Sequence, residues 1–213
     1  MKVTKIVKKN ARNVLIHFDN DEVLFLSVDI FYKSGLKKND EISDDRFSSL
    51  IKENRLFHIK QRAFRYLGRR QHSTSELRMK LKQKGYETEL INQVLDDLKQ
   101  KNYLNDTKFA EMFVEEKIKL KLWGEQKLRG ELIKRGIKSE IISDVLRNKI
   151  TDEDKLNNAL IIASRKYDTL RIRYLDKDVI KKKLITFLNS RGYNYDVIKE
   201  VYDELIIADD NYG

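Results

Sequence analysis

A chain of 213 residues with 40% hydrophobic and 37% charged residues has room for a few small modules but not for an elaborate multidomain enzyme, and its charged share is well above the usual quarter. It has no cysteine, which excludes disulfides, a thiol nucleophile and a cysteine-rich zinc site and points to a reducing cytoplasm; MKVTKIVKKN lacks an apolar export core, and no run approaches the roughly 18 apolar residues needed to span a bilayer. The formal net charge of +10 suggests a polyanionic partner, although lysine is also a generic solubilising residue, so its distribution is the better witness.

Residues 1–54 form a small β-rich module with a helix leading out. Val3 to Val7, Val14 to Phe18 and Val23 to Ser27 are β-branched runs, and the last two flank a turn-like Asp19-Asn20-Asp21-Glu22, which predicts a hairpin. Asp29 to Ser34 predicts a short helix closed by Gly35, Asp40 to Ile42 a brief strand, and Ser43 the cap of a helix through Leu50.

From here the chain is helical and contains no proline to break it. His58 to Arg70 carries Ala63, Tyr66 and Leu67 on one face, and Ser73-Thr74-Ser75-Glu76 is a capping box ahead of a second helix. That helix begins a motif that occurs three times: LRMKLKQKGYETELI at 77–91, LRGELIKRGIKSEII at 128–142 and LITFLNSRGYNYDVI at 184–198. Leucines four apart share a helix face, and the glycine suits the left-handed residue that closes a helix, with Leu81 clasping Tyr86, Leu132 clasping Ile137 and Leu188 clasping Tyr193. Thr88 and Ser139 are placed to cap the next helix in their copies, whereas Tyr195 breaks that pattern. The fold class expected is therefore mainly α: three tandem three-helix repeats, 55–104, 105–151 and 152–213 with an acidic tail, stacked as an elongated curved array. Ala159 and Leu184 are 25 residues apart against 18 for Ala110 and Leu128, so the third first-helix or its connection should be about two turns longer.

Charge alternates in step with the motif. Residues 58–85 sum to +8, 86–116 to −5, 117–138 to +6 and 165–191 to +6. The candidate contacts with a polyanion or a charged partner are Arg62, Arg65, Arg69, Arg70, Lys80 and Lys84 in the first basic zone and Arg129 and Arg135 in the second. A solvated basic face is the plainer reading of the same residues. Asp96-Asp97 and Glu115-Glu116 offer paired carboxylates for a metal, but adjacent helical side chains point about 100° apart, which favours solvated faces. His58 and His72 lack ligand spacing and suit surface or capping roles, and Tyr66, Tyr86 and Tyr103 sit at core positions better than at base-stacking ones. There is no phosphate loop and no nucleophile motif, so catalytic residues, metals and cofactors are expected to be none.

Residues 63–114, with the Ser-Glu-Leu start, Lys-Gly-Tyr and Tyr103-Leu104-Asn105-Asp106 before Phe109-Ala110, resemble the most diagnostic stretch of the RecX family of recombination regulators. GEQKLRGELIKRGI at 124–137 is similar to the family's next segment, and the likeness runs over residues 55–207. It implies a cytoplasmic, monomeric, non-enzymatic protein that binds the RecA filament, meeting single-stranded DNA directly or through that filament, and restrains ATP hydrolysis, strand exchange and coprotease action. The residues themselves leave a second reading open, a helical-repeat protein that binds DNA or RNA directly as an architectural or regulatory factor.

Overall fold

The computed structural model describes the backbone of residues 1–212 and the side chains of residues 1–207, so the acidic side chains of the tail lie outside the described residues. The described chain is three strands followed by ten helices. It divides into two compact units, one of Met1–Gln71 with Leu77–Leu104 and one of His72–Glu76 with Asn105 onward.

In the first unit, β1 (Val3–Asn10), β2 (Asn13–Phe18) and β3 (Val23–Ser27) make an antiparallel sheet in the order β1-β2-β3. β1 is three residues longer than its apolar run predicts, because Ile6, Val7 and Lys8 pair with Ile16, Leu15 and Val14 and carry the ladder on to Asn10. The expected brief strand reduces to one bridge, Lys2 with Glu41. α1 (Val28–Ser34) is capped by Ser27 and closed by Gly35, as its sequence predicts.

α2 (Asp44–Leu67) corrects the sequence reading, which has two helices here. Ser43 caps it as expected, but nothing in Ile51–Phe57 breaks a helix, and the buried positions Leu50, Asn54, Ile59 and Ala63 make one continuous stripe. Its first half packs on the sheet and its second half on α3 (Thr74–Lys82) and α4 (Thr88–Gln100).

The second and third sets of three helices are α5 (Asp106–Lys121), α6 (Glu125–Lys134) and α7 (Ser139–Lys149), then α8 (Asp152–Arg173), α9 (Lys177–Arg191) and α10 (Tyr195–Tyr212). Each set buries its own core, and all six motif leucines, Leu77, Leu81, Leu128, Leu132, Leu184 and Leu188, are fully buried. Gly85, Gly136 and Gly192 all have positive φ. The Ile137 N–H bonds the Leu132 carbonyl and the Tyr193 N–H that of Leu188, while the first copy closes through Gly85 N–H to Lys82.

The next helix starts one residue earlier than the capping pattern suggests. Thr88 and Ser139 are first helical residues, and the cap positions belong to Glu87 and Lys138, neither of which supplies a side-chain bond. The clasp uses the glycine and one apolar residue, which leaves a single residue before the helix; in the third copy it is Asn194, whose Oδ1 accepts the Val197 N–H at 3.1 Å.

The extra length of the third set lies in helix on both sides of an unchanged three-residue connection. α8 runs three residues further past Ala159 than α5 runs past Ala110, and α9 starts four residues earlier before Leu184 than α6 does before Leu128. The leucine helix itself thus takes part of the excess, which the sequence reading assigns to the first helix or the connection alone.

Within the second unit the leucine helices meet end to end. The Gly124 N–H donates to the Arg191 carbonyl at 2.8 Å and the Gln126 N–H to the Gly192 carbonyl at 3.1 Å, so orphan donors at the start of α6 satisfy orphan acceptors at the end of α9. The Lys127 ammonium adds a bond to the Ser190 carbonyl, and the Tyr193 hydroxyl bonds that of Leu122 at 2.9 Å. The end of α6 is held by Ser73, whose hydroxyl donates to the Arg135 carbonyl at 2.6 Å and accepts the Glu76 N–H at 3.1 Å. Asp106 accepts the Thr74 N–H in the same cluster, and Ser73, Thr74 and His72 are all buried.

Burial raises the pKa of Tyr193 above the usual tyrosine value of 10.0. Since the folded value exceeds the unfolded one, the stability tied to the neutral phenol is fully present below pH 10 and is lost as pH rises toward the folded value. Melting temperature is therefore expected to fall between about pH 10 and 11, and less steeply in Tyr193→Phe, which at neutral pH should itself cost about 1 kcal/mol for the missing hydroxyl bond.

Candidate nucleic-acid interface

Six of the eight sequence-selected bases belong to the first unit and two to the second. Arg62, Arg65 and Arg69 recur every three or four residues along the end of α2 and the turn after it, which puts them on one stripe. Arg65, Arg69, Arg70 and Lys84 are exposed, and Arg70 also donates to the Gln71 carbonyl at 2.7 Å. Arg62 is only half exposed, with its Nε buried and without a hydrogen-bond partner among the described residues. Lys80 leans over the Tyr66 ring, 5.3 Å from its centre, and so ties α3 to α2. The six first-unit candidates are thus four outward cations beside two that also pack.

The two bases of the second unit are engaged within the fold. Arg129 bonds Glu125 at 3.3 Å and the Ser143 hydroxyl at 3.2 Å. Arg135 lies 4.5 Å above the Phe113 ring, bonds Glu131 at 2.6 Å and has Glu76 3.7 Å away. Its guanidinium therefore covers the second core and the capped start of α3. Glu131 is held below the usual carboxyl range, first by Lys134 and then by Arg135.

Part of the acidic zone is paired. Asp97 bonds Lys101 and Lys60, which together hold its carboxyl below the ordinary value, and Glu115 bonds Lys149 across 34 residues. Among the described residues no cluster of His, Asp and Glu could hold a metal, and no helix is long and apolar enough to cross a membrane. Tyr66 and Tyr86 pack against the first core; Tyr103 is more exposed than the sequence suggests, edge-on to Phe64 at 5.1 Å. His72 is buried rather than at the surface.

None of the eight sequence-selected bases lies in the third basic zone, although its +6 matches the second. There α8 and α9 enclose a groove of about 470 Å³ whose lining includes Lys166, Arg173, Lys182 and Lys183. Two signals mark it in the sequence: the run Lys181-Lys182-Lys183, and the excess length between Ala159 and Leu184.

Three family models match the chain in succession, described as the RecX first three-helix domain over residues 60–98, the second over 105–146 and the third over 152–202. A Regulatory protein RecX from Clostridium botulinum (strain Alaska E43 / Type E3) is 33% identical over 205 residues, which cover 95% of this chain and 95% of that one. Another from Clostridium perfringens (strain SM101 / Type A) is 32% identical over 201 residues, 94% of this chain and 93% of the relative. A crystal structure of regulatory protein RecX shares the fold at a TM-score of 0.77 and 21% identity, with 95% of this chain and 98% of that one covered. With three such domains in order and near-complete overlap with relatives of that name, the chain belongs to the RecX family of regulatory proteins.

Proposed function

We propose that the chain binds the RecA recombinase filament assembled on single-stranded DNA and inhibits its ATPase, strand exchange and coprotease activities. The observation that carries this reading is the relationship along nearly the whole chain to proteins named Regulatory protein RecX. The net charge of +10 and its division into basic and acidic zones support it, since a nucleoprotein filament offers both phosphates and a charged protein wall. On the same reading the chain is a cytoplasmic monomer with no catalytic, metal or cofactor chemistry of its own, and residues 55–104, 105–151 and 152–213 act as three modules behind the β-rich module of 1–54.

Arg65, Arg69, Arg70 and Lys84 are the first-unit cations to test, being exposed, with Arg65 in α2, where glutamate keeps helix propensity, and the other three in the turns after α2 and α3. Reversing all four to glutamate is expected to raise the concentration needed to inhibit recombinase ATPase on single-stranded DNA by at least about tenfold, with helicity unchanged. The matched control reverses the exposed Glu89, Asp96, Glu140 and Asp196 to lysine. Full inhibition by the basic-zone variant, with native circular dichroism, removes these four from the interface. A pull-down that recovers no recombinase from preformed filaments removes the function itself.

A further inference from the structure

We infer that the groove between α8 and α9 is a binding site for single-stranded nucleic acid, with Lys166, Arg173, Lys182 and Lys183 meeting its phosphates and Tyr174 stacking on a base. The inference deepens the proposed function by naming where its nucleic acid would lie, and rests on that function only for the identity of the strand.

Charge favours a polyanion here. Four cations line the groove and no carboxylate does. Among the described residues none of the four is ion-paired, whereas Arg129, Arg135 and Lys149 of the same unit all are. Four cations held together without counter-charges raise one another's energy, and a polyanion relieves that cost as it releases its own condensed counterions.

The company those cations keep narrows the class of polyanion. Lys183 lies 4.8 Å from the centre of the exposed Tyr174 ring and Lys166 5.5 Å from that of Phe187. A π-face beside a cation is what a nucleotide strand uses, the ring for a base and the ammonium for its phosphate.

Size and place select a single strand. A furrow of about 470 Å³ on the surface of two packed helices takes a short stretch of single strand with its bases unstacked, while a duplex, its bases stacked inside, meets only the rim. The added residues of α8 supply Arg173, next to Tyr174 in the connection, and the four residues added at the start of α9 lead into Lys182 and Lys183. The shorter α5 has no counterpart of Arg173, whereas α6 carries Gln126 and Lys127 where α9 has Lys182 and Lys183.

The test is fluorescence anisotropy with labelled oligo-dT and a duplex of equal length, over a range of salt and without recombinase. Combined Lys166→Ala, Arg173→Ala, Lys182→Ala and Lys183→Ala should weaken oligo-dT binding by at least about tenfold and lower the magnitude of the salt slope by about 3, near 0.7 for each phosphate no longer neutralised. Combined Lys119→Ala, Lys121→Ala, Lys138→Ala and Lys199→Ala removes as much exposed charge elsewhere in the unit and should cost less than about threefold. Tyr174→Ala should weaken oligo-dT but not duplex binding. Equal losses in the two four-site variants, or an unaffected oligo-dT affinity in the groove variant at native helicity, overturn the site. A groove variant that keeps oligo-dT but no longer binds the filament overturns it in favour of a protein occupant and leaves the proposed function standing. Loss of oligo-dT binding in that variant, with no recombinase bound by the wild type, supports the groove and removes the proposed function.

Discussion

Gly192→Ala is expected to destabilise the protein by about 4 kcal/mol, which a urea melt followed by circular dichroism measures directly. Two separate causes add. An alanine at φ +91 carries the left-handed penalty of about 1–2 kcal/mol. Its Cβ would also stand 2.4 Å from the Lys127 nitrogen and 2.5 Å from Lys127 Cβ, so α9 must back away and strain the bonds from Gly124 and Gln126, at about 1 kcal/mol each. Two other glycines separate the causes. Gly85 shares the positive φ, with nothing within 4 Å of an added Cβ, so Gly85→Ala should cost only about 1 kcal/mol. Gly124 has an ordinary φ of −76 but would place a Cβ 2.4 Å from the Gly192 carbonyl carbon, so Gly124→Ala should fall between them. Equal costs at Gly85 and Gly192 would show that the close approach contributes nothing.

Asn54→Asp is expected to cost about 3 kcal/mol at neutral pH. Asn54 is buried on α2 and faces β3, an edge strand, where its Oδ1 accepts the Ser27 N–H at 2.8 Å and its Nδ2 donates to the Phe25 carbonyl at 3.0 Å. One amide thus treats the strand as a neighbouring strand would, taking an N–H and a C=O two residues apart. A carboxylate keeps the first bond and sets an oxygen against the Phe25 carbonyl, in a place where an unpaired charge is poorly solvated. Burial should raise that carboxyl's pKa above its unfolded value. The penalty is then present at neutral pH and shrinks as pH falls and the protonated acid can donate. Denaturant melts of wild type and variant at pH 7 and pH 4.5 measure both the loss and its partial recovery; a loss that does not change with pH would assign the effect to packing.

What the sequence discloses of this fold is local periodicity. Leucines at 77 and 81, 128 and 132, and 184 and 188 mark the buried faces because a helix repeats every 3.6 residues, and a glycine four residues beyond the second leucine marks the turn. What it conceals is made by chain segments far apart. Asn54 looks like any polar residue in a helix, and only the strand 27 residues before it explains its burial. Ser73 is legible as a cap but not as a donor to a carbonyl 62 residues away. The site divides the same way. That Arg129 and Arg135 are held by Glu125 and Glu131 could be anticipated from carboxylates four residues earlier. That Arg135 rests on Phe113 could not.

The third helix hairpin is moored at one end. Its attachment to α6 lies at the close of α9, around Arg191 and Gly192, while its added residues sit where α8 finishes and α9 begins. Growth at the far tip therefore behaves like lengthening a cantilever: turns added in matched pairs extend the arm without disturbing the mooring. A family built this way can vary the reach of its last module independently of how that module is fastened, changing what the arm touches while the fastening stays the same.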